Sequence, residues 1–388
     1  MRTNLAERER ELATGSYFKN VDGNLPLAMA AYRRVLQNYP DDETALTNLA
    51  NLYTAYQRPN AALKLLLRAV KTRPRFAAYS NLFNTYIRLN QLNEAEEAHR
   101  IAATLYPDQK RIKFQPIILA VAKGDLLSAD RHMDAFLAAN ANKPELANDL
   151  FVARYQWKRG RIERARAIFR ERARMAATEN KPVDSIEAMT SLVAIARAVG
   201  SPEDGRSILD EIATAYPLAA IKEGLRPYID LAEAHAMVGE GAKARHFFTL
   251  SLAQSRKDRL DYDQNARVLG LVAMAEGRDA DAVTIFKQAT RFGQCSTCLL
   301  YDLALAQEKA GLNAEAIQTY QAYAKRAPFA LGRGEYIGFV LARLANLQEQ
   351  SGDINAAQLT RQKLNRQWVG SDSALFADVK QLHPPVAT

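Results

Sequence analysis

The chain has 388 residues, of which 48% are hydrophobic and 24% charged, enough apolar material for a sizeable core. Two cysteines exclude a disulfide framework, and 18 Gly with 14 Pro exclude a collagen-like or low-complexity chain. No apolar run nears the roughly 18 residues that span a bilayer. The start, Met-Arg-Thr-Asn-Leu-Ala-Glu-Arg-Glu-Arg, lacks the apolar stretch of a secretory signal, so the expected compartment is the cytoplasm.

A repeat organises the rest. Prolines close helical patterns at Tyr39-Pro40, Arg73-Pro74 and Tyr106-Pro107, and again at Tyr216-Pro217 and Ala327-Pro328. The first three stand about 34 residues apart, the period of a helix-turn-helix repeat. Residues 1–40 read as an irregular N-terminal cap whose first helix, Asn4–Phe18, is polar. The second unit runs ETALTNLANLYTAYQRPNAALKLLLRAVKTRP from Glu43. Leu46, Leu49, Ala50 and Tyr53 share one face of its first helix; Ala62, Leu66 and Ala69 share one face of its second. The third repeats this with Tyr79, Leu82, Tyr86, Ala95, His99 and Ala102. Further units turn at Gly124, Gly160, Gly200, Gly277, Gly311 and Gly352, with second-helix residues such as Ala129, Phe169, Phe286 and Tyr320. In the eighth, Leu269-Gly270 stands in the core slot. Repeats two to ten fill 41–368, and 369–388 hold a capping helix, Ser373–Leu382, and a frayed tail. Asn140–Pro144, Thr178–Val183 and Ser255–Asp263 read as longer loops.

Spacings of three and four make a stripe on each helix, and small residues let the two helices of a hairpin approach. One hairpin cannot bury its stripe alone, so neighbours stack. The expected fold is all-α: one solenoid of about ten antiparallel hairpins in a right-handed superhelix.

The chain resembles tetratricopeptide repeat (TPR) proteins through this W-x2-L-G-x2-Y…A-x3-F…P pattern, with Leu in the Trp slot. More narrowly, LAERERELATGSYFKNVDGNLPLAMAAYRRVLQNYPDDETALTNLANLY, the Cys295-Ser-Thr-Cys298 start of the ninth unit and LARLANLQEQSGDINAAQ resemble the C-terminal TPR region of bacterial eukaryotic-like serine/threonine kinases and related membrane-integrated transcriptional regulators. The resemblance spans about residues 4–382. It implies a sensor or docking module in bacterial signalling, extracytoplasmic if part of a membrane-anchored kinase. Kinase, hydrolase, zinc-protease and Walker A motifs are absent, so no catalytic residue, cofactor or metal is expected. Gly332-Arg-Gly334-Glu-Tyr-Ile-Gly338 has the wrong spacing for a phosphate loop, and Val121-Ala-Lys123 lies at a helix end.

Two faces are candidates for binding a protein or peptide. Asn48, Asn51, Asn81 and Asn84 fall on exposed faces of successive first helices, and Arg111 and Lys113 open the next. Asparagine amides can hold a peptide backbone, and arginine a carboxylate. This partly resembles the carboxylate clamp of chaperone-binding TPR domains, with Thr47 and Gln115 where the clamp has a lysine and an arginine. Hydrogen bonding between repeats is the alternative role for these amides. The second face is the run RYQWKRGRIERARAIFRERAR, Arg154–Arg174, with nine basic and two acidic residues in 21 positions. Arg154, Trp157 and Lys158 fall on its first helix, in the groove; Arg166, Arg170 and Arg174 form a basic patch on the second. A solvated face, an acidic partner, and nucleic acid or an anionic surface are its three readings, the last with little aromatic support. Cys295 and Cys298 read as structural thiols, a redox-active pair or half a metal site. Nothing in the sequence sets an oligomeric state.

Overall fold

The computed structural model describes residues 6–22, 24–254, 262–292, 297–329 and 334–372, and every regular element among them is helical. Two compact units emerge. The described residues up to Phe136 form unit 1, and those from Leu137 onward form unit 2.

Unit 1 begins with α1 (Glu7–Tyr17), a single π turn at Phe18–Asp22, and α2 (Leu25–Asn38). It continues with α3 (Glu43–Ala55), α4 (Pro59–Thr72), α5 (Phe76–Arg88), α6 (Leu92–Leu105), α7 (Lys110–Ala122) and α8 (Leu126–Ala139). Consecutive helices pair as hairpins, and first helices pack on first helices: α3 on α5, α5 on α7. The core is the predicted stripe. Ala28, Tyr32 and Val35 of α2 interdigitate with Ala45, Leu49 and Leu52 of α3, and Leu46 packs with Ala69 and Ala78. The opening cap is held by polar contacts: Arg8 pairs with Asp42 at 2.5 Å, and Arg34 with Glu11 at 2.8 Å. Asp42 also accepts from the Ala45 N–H, so one carboxylate caps α3 and anchors α1. His99 is tied by Nδ1 to Gln115 Oε1 at 2.9 Å across two repeats, and Phe114 meets Phe136 at a centroid distance of 4.9 Å.

Unit 2 contains a one-turn helix α9 (Pro144–Ala147), then α10 (Leu150–Lys158), α11 (Ile162–Thr178), α12 (Pro182–Ala198), α13 (Pro202–Ala215), α14 (Tyr228–Met237) and α15 (Gly241–Gln254). There follow α16 (Tyr262–Ala275), α17 (Asp279–Phe292), α18 (Leu300–Lys309), α19 (Asn313–Arg326), α20 (Ile337–Gln350) and α21 (Ile354–Gln367). Hairpins pair α10 with α11 through α20 with α21, and α12, α14, α16 and α18 pack in succession.

The punctuation follows backbone physics. The five proline cues fall just past the ends of α2, α4, α6, α13 and α19, where a residue without an N–H stops a helix. The turn from first to second helix carries one residue of positive φ in each hairpin from α3/α4 onward: Gln57 and Asn90, then glycine at 124, 160, 200, 239, 277, 311 and 352. Two expectations change. The loop expected at Thr178–Val183 is a tight turn, because Asn180 takes positive φ (55°) and Pro182 starts α12 at its first position. Leu269, placed in the core by the repeat pattern, is 40% exposed. Its neighbour Gly270 faces inward instead, where an added Cβ would stand 2.3 Å from Phe286. Ser255–Asp261 and the capping helix Ser373–Leu382 lie outside the described residues.

The last hairpin of unit 2 returns to its first. Arg159, 0% exposed, donates to the carbonyls of Arg366, Gln367 and Val369. A guanidinium thereby satisfies carbonyls at the C-terminus of α21, where the helix leaves them unpaired. Gln367 Nε2 donates back to the Lys158 carbonyl at 2.9 Å. The Asp372 carboxylate accepts from the Glu163 N–H at 2.9 Å in the first turn of α11. Trp368 fills the space left by Gly338 and Gly160. Unit 2 is therefore closed by contacts more than 200 positions apart in sequence.

Candidate functional site

In unit 1 the inner stripe of α3 carries Asn48 and Asn51, and that of α5 carries Asn81 and Asn84. All four side chains are half-buried, and none has a hydrogen-bond partner among the described residues. Hydrogen bonding between repeats is accordingly not their role in this structure. Arg111 is exposed at the first turn of α7. The two positions that depart from a carboxylate clamp are closed: Thr47 is buried and donates to Glu43, and Gln115 is buried on His99.

The second predicted face is not a groove surface. Trp157 is 3% exposed, with its ring 4.9 Å from that of Tyr336, which in turn stacks on Tyr301 at 4.2 Å. Lys158 donates to the Ala327 carbonyl at 3.2 Å. Burial pushes its ammonium down to about 8, against the opposing pull of the Glu335 carboxylate. Trp157 and Lys158 belong to the closure of unit 2, since Tyr336 packs on the one and Ala327 accepts from the other. Arg154 is half-buried and lines an interior cleft. In the basic patch each guanidinium has a carboxylate: Arg166 with Glu163 (2.9 Å), Arg170 with Glu211 (3.2 Å) and Arg174 with Glu171 (2.6 Å). These exposed pairs contribute about 0–1 kcal/mol each, and they leave less free positive charge than the sequence count implies. Cys298 is disulfide-bonded, and Cys295 lies outside the described residues.

The first helices of unit 2 share an interior that sequence reasoning missed. Asp302 of α18, 1% exposed, accepts from Arg267 of α16 at 2.8 Å and from Arg197 of α12 at 2.6 Å. Arg267 also pairs with Glu233 of α14, and Arg343 of α20 pairs with Glu308 of α18 at 2.7 Å. Burial alone would raise the Asp302 carboxyl, but Arg267 and Arg197 outweigh it and hold it below the usual carboxylate range. A signal for part of this existed. Glu233, Arg267 and Asp302 are 34 and 35 residues apart, and Glu308 and Arg343 are 35 apart. Opposite charges one repeat period apart occupy facing slots on adjacent first helices. Arg197–Asp302, 105 residues apart, had no such signal.

Residues of this network line two clefts. One, of about 140 Å³, is lined by α10, α12, α14, α16 and the residues before α20; Arg154, Trp157, Glu187, Glu233, Arg267 and Glu335 are on its wall. The other, of about 510 Å³, is half apolar, with Met237, Leu271, Met274 and Leu305 below Arg197 and Arg343. Among the described residues, no group of three or more His, Cys, Asp or Glu side chains could hold a metal ion, and no helix is long and apolar enough to cross a membrane.

With this geometry in hand, comparison with known families places tetratricopeptide repeats at residues 22–82 and 299–330. The chain carries TPRs in an all-α array, and such repeats form protein-interaction modules, generally non-catalytic scaffolds. It is similar to a solved TPR protein from Parabacteroides merdae, at 15% identity over 79% of this chain and 98% of that one, with a TM-score of 0.34. It is also similar to the TPR domain of P58(IPK), at 14% identity over 97% of both chains, with a TM-score of 0.27. The comparison with curated proteins found no match.

Proposed function

We propose that this chain is a non-catalytic recognition scaffold whose unit 1 holds an extended segment of a partner protein against α3, α5 and α7. The observation that carries this reading is the set of four amides, Asn48, Asn51, Asn81 and Asn84, half-buried and unpartnered on successive first helices. Each amide offers an acceptor and two donors, which match the alternating N–H and C=O of an extended backbone. Arg111, exposed at the next helix start, suits an acidic side chain of that partner.

The test is capture of partners by the wild type and by Asn51→Ala/Asn84→Ala. Lost hydrogen bonds at about 0.5–1.5 kcal/mol each should together weaken the partner roughly tenfold or more. The melt should be unchanged, because the amides support nothing else. An identical set of partners with unchanged affinity refutes the groove. The resemblance to kinase-linked repeat regions supports a place in bacterial signalling, with chemistry supplied by a separate chain; a captured kinase is the outcome expected of that role.

A further inference from the structure

The smaller cleft of unit 2 has chemistry that the recognition reading does not use. Its wall carries four carboxylates, Glu187, Asp230, Glu233 and Glu335, against two guanidiniums, Arg154 and Arg267. Arg267 is already committed to Glu233 and Asp302. Glu335 is the informative group. It is 7% exposed, lines the cleft, and makes no hydrogen bond or ion pair among the described residues. Lys158 acts on it electrostatically but spends its hydrogen bond on the Ala327 carbonyl. The Glu335 carboxylate has no donor among the described residues and borders the cleft, so a cation there would give it a partner.

We propose that this cleft binds an organic cation, a primary ammonium or guanidinium group, with Glu335 as the inner ligand and the exposed Glu187 as the outer one. Several features support an organic ion. No trio of ligands is placed for a metal among the described residues. The Trp157 and Tyr336 side chains form part of the wall, which suits the methylene stem of an amine. About 140 Å³ accommodates a single side-chain-sized group. The same chemistry comes from a free polyamine or from a lysine or arginine side chain of a peptide. Non-specific electrostatics would oppose such binding, since the whole chain carries a net charge of +9.

The experiment is calorimetric titration of the full chain with spermidine and, separately, with a short lysine-bearing peptide blocked at both ends. Binding of one equivalent of either amine, weakened about tenfold by Glu335→Gln, is the expected result; a tenfold change corresponds to about 1.4 kcal/mol. Spermidine alone binding identifies a polyamine site, and the peptide alone binding identifies a side-chain pocket. Glu187→Gln is the second variant. Glu187 is exposed, so its loss should weaken the amine a few-fold without disturbing the fold even where Glu335→Gln unfolds. Absence of binding by both amines overturns the proposal, as does binding that neither variant weakens. Asn51→Ala/Asn84→Ala in unit 1 should leave this titration unchanged, so failure of the groove reading and failure of this one are separable.

Discussion

Replacing Asp302 with alanine tests the buried network most directly. In the native unit its two oxygens hold Arg267 at 2.8 Å and Arg197 at 2.6 Å, with the carboxylate 1% exposed. Without it, Arg267 retains Glu233, but among the described residues Arg197 keeps only a contact 6.0 Å above the Tyr301 ring. Removing one partner of a buried ion pair costs about 3–5 kcal/mol, because a desolvated charge is left uncompensated. Two charge-assisted hydrogen bonds at about 1.5–3 kcal/mol each give a similar figure. The assay is urea denaturation followed by tryptophan fluorescence. The chain has two tryptophans, Trp157 and Trp368, both buried in unit 2, so the signal reports that unit alone. The midpoint should fall by about 1 M or more with little change in slope. Adding Arg197→Met should recover part of the loss, with a coupling of about 0.5–3 kcal/mol. A loss below about 1 kcal/mol, or no recovery in the double variant, refutes the account of the network.

Other changes separate core from surface and closure from groove. Leu49→Ala, at a 3% exposed site, should destabilise unit 1 by about 2–5 kcal/mol, whereas Leu269→Ala, at a 40% exposed site, should stay within about 0.5 kcal/mol; circular-dichroism melts distinguish the two. Trp157→Ala should cost about 3–5 kcal/mol through a cavity beside Tyr336, and a melt near wild type would return Trp157 to the groove. Because the fold holds Lys158 at about 8, below the ordinary lysine value near 10.4, the folded state binds fewer protons between those values. Unit 2 should therefore gain stability as pH rises from about 8 to about 10, and Lys158→Met should flatten that rise in urea midpoints taken across the range. The Asp302 carboxyl, also lowered, gives a slope of the same sign in the acid range: its contribution is present above the ordinary carboxylate range and is lost as pH falls through its lowered value, with Asp302→Ala removing that acid dependence.

The hairpins were legible in the sequence because their causes are local. A stripe of Leu and Ala at spacings of three and four, a glycine where the backbone must take positive φ, and a proline past a helix end act within one repeat, so Leu46, Gly277 and Pro74 stand where the pattern put them. Even the Glu233–Arg267–Asp302 ladder follows from the period, since one repeat sets one charge beside the next. Tertiary structure alone decided which polar faces are covered. Trp157, Lys158 and Arg159 look like a solvated basic stretch until the last hairpin of unit 2 lies over them, with Gln367 and Asp372 meeting Lys158 and Glu163. Periodicity identifies the face a residue occupies, but the burial of that face depends on a partner about 200 residues away, and no local spacing encodes such a contact.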